Sequence, residues 1–139
     1  MASSTSFRIS DDARRRLAER ARGERTSATS LLERLISEGI DVLDHPGIVH
    51  RGSAHDRRAA LAAGPDVWEV VGRLRELEGS EEERVAVLAA ESDLHPRLVR
   101  IALDYAAAHP DDVRERIERN DEAARVSRDA VGRRGALLA

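Results

Sequence analysis

Only three aromatic residues, Phe7, Trp68 and Tyr105, are spread through a chain of 139 residues, and cysteine is absent. A chain so poor in rings must build its cores from Leu, Val, Ile and Ala, which favours small helical units. Without cysteine a disulfide framework, a thiolate–zinc site and a cysteine nucleophile are excluded. The length accommodates one ordinary domain or two small ones and leaves little room for a multidomain enzyme. No apolar run approaches the roughly 18 residues of a membrane span, and the N-terminus lacks the apolar centre of a signal peptide. The expectation is a soluble, cytoplasmic protein.

Charge is distributed unevenly. The formal net charge is −3, and all of the 23 basic residues are arginine. Residues 1–44 are neutral in sum, 45–75 carry +2 and 76–139 carry −5, while residues 1–34 taken alone carry +3. The acidic total therefore conceals a slightly basic N-terminal region followed by an acidic one.

The N-terminal region reads as one short strand and two helices. Phe7 and Ile9 alternate with Ser6, Arg8 and Ser10, the period of a half-buried strand. Ser10-Asp11-Asp12 is a helix start, followed by the stripe Ala13, Leu17, Ala18 and Ala21, with Gly23 expected to end the helix. Thr26-Ser27 opens a second helix whose stripe is Leu31, Leu32, Leu35, Ile36 and Ile40, running to about Leu43. Some 40 residues of this kind cannot bury a sufficient core alone, and a lone strand exposes its backbone donors and acceptors. Pairing of two copies through antiparallel strands solves both problems. It turns Phe7 and Ile9 toward the helices and leaves Ser6 and Arg8 on a two-stranded ribbon of a size that enters the major groove.

The stretch Thr5–Ile40, with its alternating strand, acid-capped helix and Thr26-Ser27-Ala28-Thr29-Ser30-Leu31-Leu32 opening, resembles the ribbon-helix-helix superfamily, closest to CopG-type repressors and the DNA-binding ends of antitoxins. The family's Gly-x-Ser-x-Ser/Thr opening is only approximated, because Gly23 lies four residues ahead of Ser27. The resemblance implies an intertwined homodimer on an operator. Arg8 would donate bidentately to guanine O6 and N7, and Ser6 would touch a base edge or phosphate. Ser27, Thr29 and Ser30 would lie at a helix N-terminus that binds backbone phosphate. The bland alternative leaves Ser6 and Arg8 on a solvated face and Ser27 as a cap.

Farther along, Ile48-Val49 and Ala59-Ala60-Leu61 can pair as a small hairpin. Pro65-Asp66 starts a helix with Val67, Trp68, Val71, Leu74 and Leu77 on one face. Ser80-Glu81-Glu82-Glu83 fits a capping box opening another helix, a turn at Asp93–Pro96 leads to a third with Val99, Ala102, Leu103 and Ala106 inward, and His109-Pro110 opens the last, expected to fray after Asn120. Glu83–Leu103 also fits a helix-turn-helix with Leu94 in the turn and Asp93 in place of the usual glycine. Arg97 and Arg100 are its groove or partner contacts, although the surrounding acids favour an interaction or dimerisation module over a second DNA reader. Residues 45–120 are similar to hairpin-plus-trihelical domains of VapB-like antitoxins, through His45–Val49, Arg57–Leu61, Gly64–Val71, Val99–Tyr105 and His109–Val113. That resemblance implies a protein toxin as partner, of the PIN-like ribonuclease kind.

The expected fold is thus mainly α: a ribbon-helix-helix unit at 1–44, a hairpin plus helical interaction domain at 45–126 and a disordered tail at 127–139. Trp68 and Tyr105 are read as core anchors. The five histidines share no helical face at i,i+4 spacing, and no phosphate loop or nucleophile elbow occurs, so no metal, cofactor or enzymatic activity is expected. The leading functional expectation is an autorepressing antitoxin that binds operator DNA. The alternatives are a stand-alone regulator whose C-terminal domain oligomerises, and a dimeric scaffold that binds no DNA. Low net charge implies modest affinity per dimer and strong dependence on salt and site repetition.

Overall fold

In a computed structural model, which describes residues 2–139, the chain is mainly helical with one small antiparallel sheet. The described residues form α1 (Asp11–Glu24), α2 (Ala28–Asp44), β1 (Ile48–Arg51), β2 (Arg58–Leu61), α3 (Val67–Glu76), α4 (Glu81–Ser92), α5 (Pro96–Ala108) and α6 (Pro110–Leu138).

Local chemistry sets the first two helices. Ser10 caps α1 by accepting from the Ala13 amide at 3.0 Å, and Asp11 and Asp12 sit where the helix dipole favours negative charge. The helix does not stop at Gly23 as the sequence suggests. It runs one residue further, and Arg25 adopts the left-handed conformation (φ 55°, ψ 42°) that closes it, with the Thr26 amide returning to the Ala21 carbonyl at 3.0 Å. A side chain in that conformation is strained where glycine is not. Arg25→Gly is therefore expected to raise stability by about 0.5–1 kcal/mol, read as a higher melting temperature. Helix α2 begins at the Ser27 cap and packs on α1, with Leu31 of α2 and Ala21 of α1 buried.

Residues 2–10 form no strand within the chain, and Phe7 is 82% exposed rather than turned under the helices. The strand expected there from the alternating pattern therefore does not form within one copy, which offers it no hydrogen-bonding edge.

The hairpin forms as its sequence suggests, with Ile48 opposite Leu61 and Arg51 opposite Arg58. Ile48, Leu61, Val67, Val70, Leu74, Val85, Leu88, Val99, Ala102 and Tyr105 make one continuous core beneath it. Trp68 packs on the edge of that core. The turn between α4 and α5 uses Asp93 in the left-handed conformation (φ 58°), the position that glycine would fill at lower cost.

Asp66 is the one charged residue buried among the described residues, at 8% exposure. It stands at the N-cap of α3, yet its carboxylate makes no cap bond. Instead it accepts from Arg58 Nε at 2.7 Å and Trp68 Nε1 at 3.2 Å, with Arg51 3.9 Å away. Arg51 in turn donates to the carbonyls of Leu61 and Gly64, so the hairpin, the loop after it and α3 are held by one polar knot.

Helix α6 departs from the expected fraying. It continues to Leu138, although its buried residues are only Val113 and Ile117. Intrahelical pairs such as Arg125 with Glu122 and Asp129 support the later turns locally.

Candidate nucleic-acid interface

The N-terminal unit presents a wide apolar face to solvent. Leu35 and Ile36 are each half exposed, Ile40 is 51% and Leu43 79% exposed, Leu32 and Ile9 adjoin Leu35, and Phe7 is exposed in the N-terminal stretch. Between α1 and α2 lies a groove of about 870 Å³ whose apolar walls include Ile9, Leu17, Leu32 and Leu35. Contiguous apolar surface of this kind marks an association site, and here it follows the stripe of α2 from its edge at Leu31, which is buried, to residues that face solvent.

The residues singled out for DNA lie around that face. Ser6 and Arg8 are exposed in the extended N-terminal stretch, and Arg8 has no ion-pair partner among the described residues. Ser27 is committed to capping: its Oγ accepts from the Ser30 amide at 3.0 Å and donates to Ser30 Oγ at 2.9 Å. Its hydroxyl therefore organises the helix start, and the anion-facing groups there are the first-turn backbone amides together with exposed Thr29. Glu24 and Arg34 lock the α1–α2 pair at 2.7 Å. Hydrogen bonds from Arg20 first, and from Arg34 next, hold the Glu24 carboxyl below its usual range.

Arg97 and Arg100 are exposed on α5 and unpaired among the described residues. Glu91, which the sequence places near them, is taken by Arg73 at 2.6 Å, and that hydrogen bond holds its carboxyl below the usual range.

A joint that the sequence does not foretell ties the N-terminal unit to the rest. Asp41 of α2 lies 3.5 Å from His50 Nε2 on β1 and 3.2 Å from His109 Nε2 between α5 and α6. Tyr105 stacks on His109 with ring centres 4.4 Å apart, and His45 meets it edge-on at 5.3 Å. Burial first, and then the charges of Asp41 and Asp112, push the Tyr105 hydroxyl well above its ordinary range, so it stays protonated. His50 Nδ1 is buried without a partner, which favours the tautomer with its proton on Nε2, toward Asp41. One turn earlier, Glu38 receives Arg57 at 2.6 Å. These contacts fix α2 against the hairpin and α5 across the short link His45–Gly47. The three imidazoles come from separate elements, so no spacing rule brings them together. No group of three His, Asp or Glu side chains among the described residues is arranged to hold a metal ion.

Beside the joint is a cleft of about 310 Å³ walled by Arg57, Arg58, Arg116 and Arg119. Three of these four are already neutralised, by Glu38, Asp66 and Asp56 respectively, so the cleft offers little uncompensated positive charge.

Comparison with known proteins finds no matching family model, no matching curated protein and no matching solved structure.

Proposed function

We propose that the chain is a sequence-specific DNA-binding protein of the ribbon-helix-helix class, active as a homodimer. The single observation that carries this reading is the unpartnered apolar face of α2, with Ile9 lining the groove beside it and Phe7 exposed two residues earlier. A second copy laid on that face buries both and gives each N-terminal stretch the strand partner it lacks. Ser6 and Arg8 then stand on the outer side of the ribbon, and the start of α2 meets phosphate on either side.

Within that class the proposed role is the antitoxin of a toxin–antitoxin pair. The dimer represses its own promoter, and the hairpin-plus-helical domain holds a toxin of the PIN-like ribonuclease kind. This part rests on the resemblance of residues 45–120. The exposed apolar stripe of α6 favours a second reading, a stand-alone regulator whose C-terminal region links dimers along DNA. Capture of the tagged chain, with co-purifying protein and nucleic acid both identified, separates the two; recovery of DNA without a nuclease removes the antitoxin role.

Arg8→Ala tests the reading of bases. Loss of a bidentate guanine contact costs about 1–3 kcal/mol per site, and the dimer carries two such sites. Fluorescence anisotropy with the upstream DNA is expected to show specific binding falling by at least about tenfold, toward the affinity for random DNA, with the dimer intact. Unchanged discrimination between the two DNAs would remove Arg8 as the reader.

A further inference from the structure

Helix α6 outruns the core that anchors it. Its last buried residue is Ile117, and residues 118–138 extend for about 31 Å without burying a single side chain. This part carries glycines at 132 and 135, neither with any atom within 4 Å of where a Cβ would stand. Such glycines weaken a helix that stands by itself and let a neighbouring backbone approach closely.

The segment has a seven-residue apolar repeat: Ala123-Ala124, Ala130-Val131 and Leu137-Leu138. Ser127 lies between the first two pairs on the same stripe, with Val126 to one side of it. Val126, Val131, Leu137 and Leu138 are all at least half exposed. A seven-residue spacing that sets Ala, Val and Leu along one side suits pairing with another helix; Arg134, seven residues after Ser127, lies on that side too and brings a charge to it.

Charge along the segment identifies the second helix. Residues 118–122 hold Glu118, Asp121 and Glu122 against Arg119, net −2. Residues 123–138 hold Arg125, Arg128, Arg133 and Arg134 against Asp129, net +3. Asp121 at one end, and Arg128, Arg133 and Arg134 toward the other, have no ion-pair partner among the described residues. Two copies side by side in the same direction would set like charge against like. In opposite directions each acidic end meets a basic end, with Asp121 and Glu122 opposite Arg133 and Arg134.

We infer that residues 118–138 of α6 form an antiparallel pair with the same segment of a second copy, an association surface separate from the α2 face. Ser127 lies near the midpoint of the overlap and on the seam, so it meets its own counterpart. Leu138 meets residues near Glu118, far from the other Leu138. With both surfaces in use, dimers are joined to one another, the arrangement a repeated operator calls for. The seam is short and rich in alanine, so its pairing is weak compared with that of the α2 face.

The absence of cysteine makes the test direct on the full chain. Under mild oxidation Ser127→Cys is expected to cross-link to itself, and Leu138→Cys to do so at least about tenfold less, because a disulfide needs its Cβ atoms within about 4.5 Å. Arg133→Glu with Arg134→Glu is expected to lower the Ser127→Cys cross-linking roughly tenfold, and further addition of Asp121→Arg with Glu122→Arg to restore it. Equal cross-linking at both cysteine positions would mean parallel pairing and overturn the inference. So would cross-linking at neither position, which leaves the stripe to a different protein, or failure of the charge exchange to restore it. None of these readings involves DNA or the α2 face, so failure of the α6 pairing leaves the proposed function standing, and failure of that function leaves the pairing standing.

Discussion

Leu35→Glu combined with Ile40→Glu is expected to convert the proposed α2-face dimer into a monomer at micromolar concentration and to abolish the specific DNA binding proposed for it. Both side chains are about half exposed in the single chain, so the exchange adds charge to surface and leaves the monomer folded. In the dimer the same positions are covered. Four carboxylates would then be brought out of water opposite apolar side chains, where an unpaired charge costs several kcal/mol. A dissociation constant raised by at least about a thousandfold follows from that cost. Sedimentation equilibrium measures it, with circular dichroism as the check on helix content. The α6 contact persists only as weak association at high concentration. A variant that remains a dimer at low micromolar concentration would place the interface elsewhere, and the ribbon with it.

Asp66→Ala is expected to destabilise the fold by about 3 kcal/mol, a large share of what holds a small domain together. The size follows from what is left behind rather than from what is removed. Arg58, 30% exposed in its side chain, loses the nearer of its two carboxylates, at 2.7 Å, and keeps Asp56 at 3.1 Å, while the Trp68 ring N–H loses its acceptor. Arg51 keeps its two carbonyls, so part of the knot survives. Urea unfolding followed by Trp68 fluorescence reports both the loss and the altered surroundings of the indole. A change below about 1 kcal/mol would mean that Arg58 finds water or Asp56 an adequate substitute.

The parts of the fold that were legible in the sequence are those set within a few residues. Ser10, Ser27 and Ser80 read as caps and act as caps, because a hydroxyl satisfies the amide three residues ahead whatever surrounds the helix. The hairpin followed from two short apolar runs separated by turn residues. Arg25 was not legible as the end of α1. Gly23 is the residue that usually stops a helix, but here the chain continues to Glu24 and Arg25 takes the left-handed position, with the Thr26 amide closing on the Ala21 carbonyl. The length of α6 escaped for a different reason. Its later turns bury almost nothing, and a sparse seven-residue stripe does not resemble the dense apolar face that a core helix shows.

For the candidate site the division is sharper. Arg8 and the start of α2 are proposed contacts on the residue types and order of the sequence alone, and the sequence also determined that one face of α2 must be apolar. It could not say which part of that face is free. Leu31 and Leu35 are both leucines on one stripe, yet Leu31 is buried under α1 and Leu35 faces water. Only the tertiary structure decided this, because burial depends on the angle at which another helix crosses, a long-range quantity that periodicity does not encode. The joint of Asp41, His50, Tyr105 and His109 has the same origin: α2, β1 and the C-terminal end of α5 meet because the core beneath them brings those elements together. Caps and stripes are local chemistry and can be read along the chain; convergence is geometry and exists only once the chain has folded.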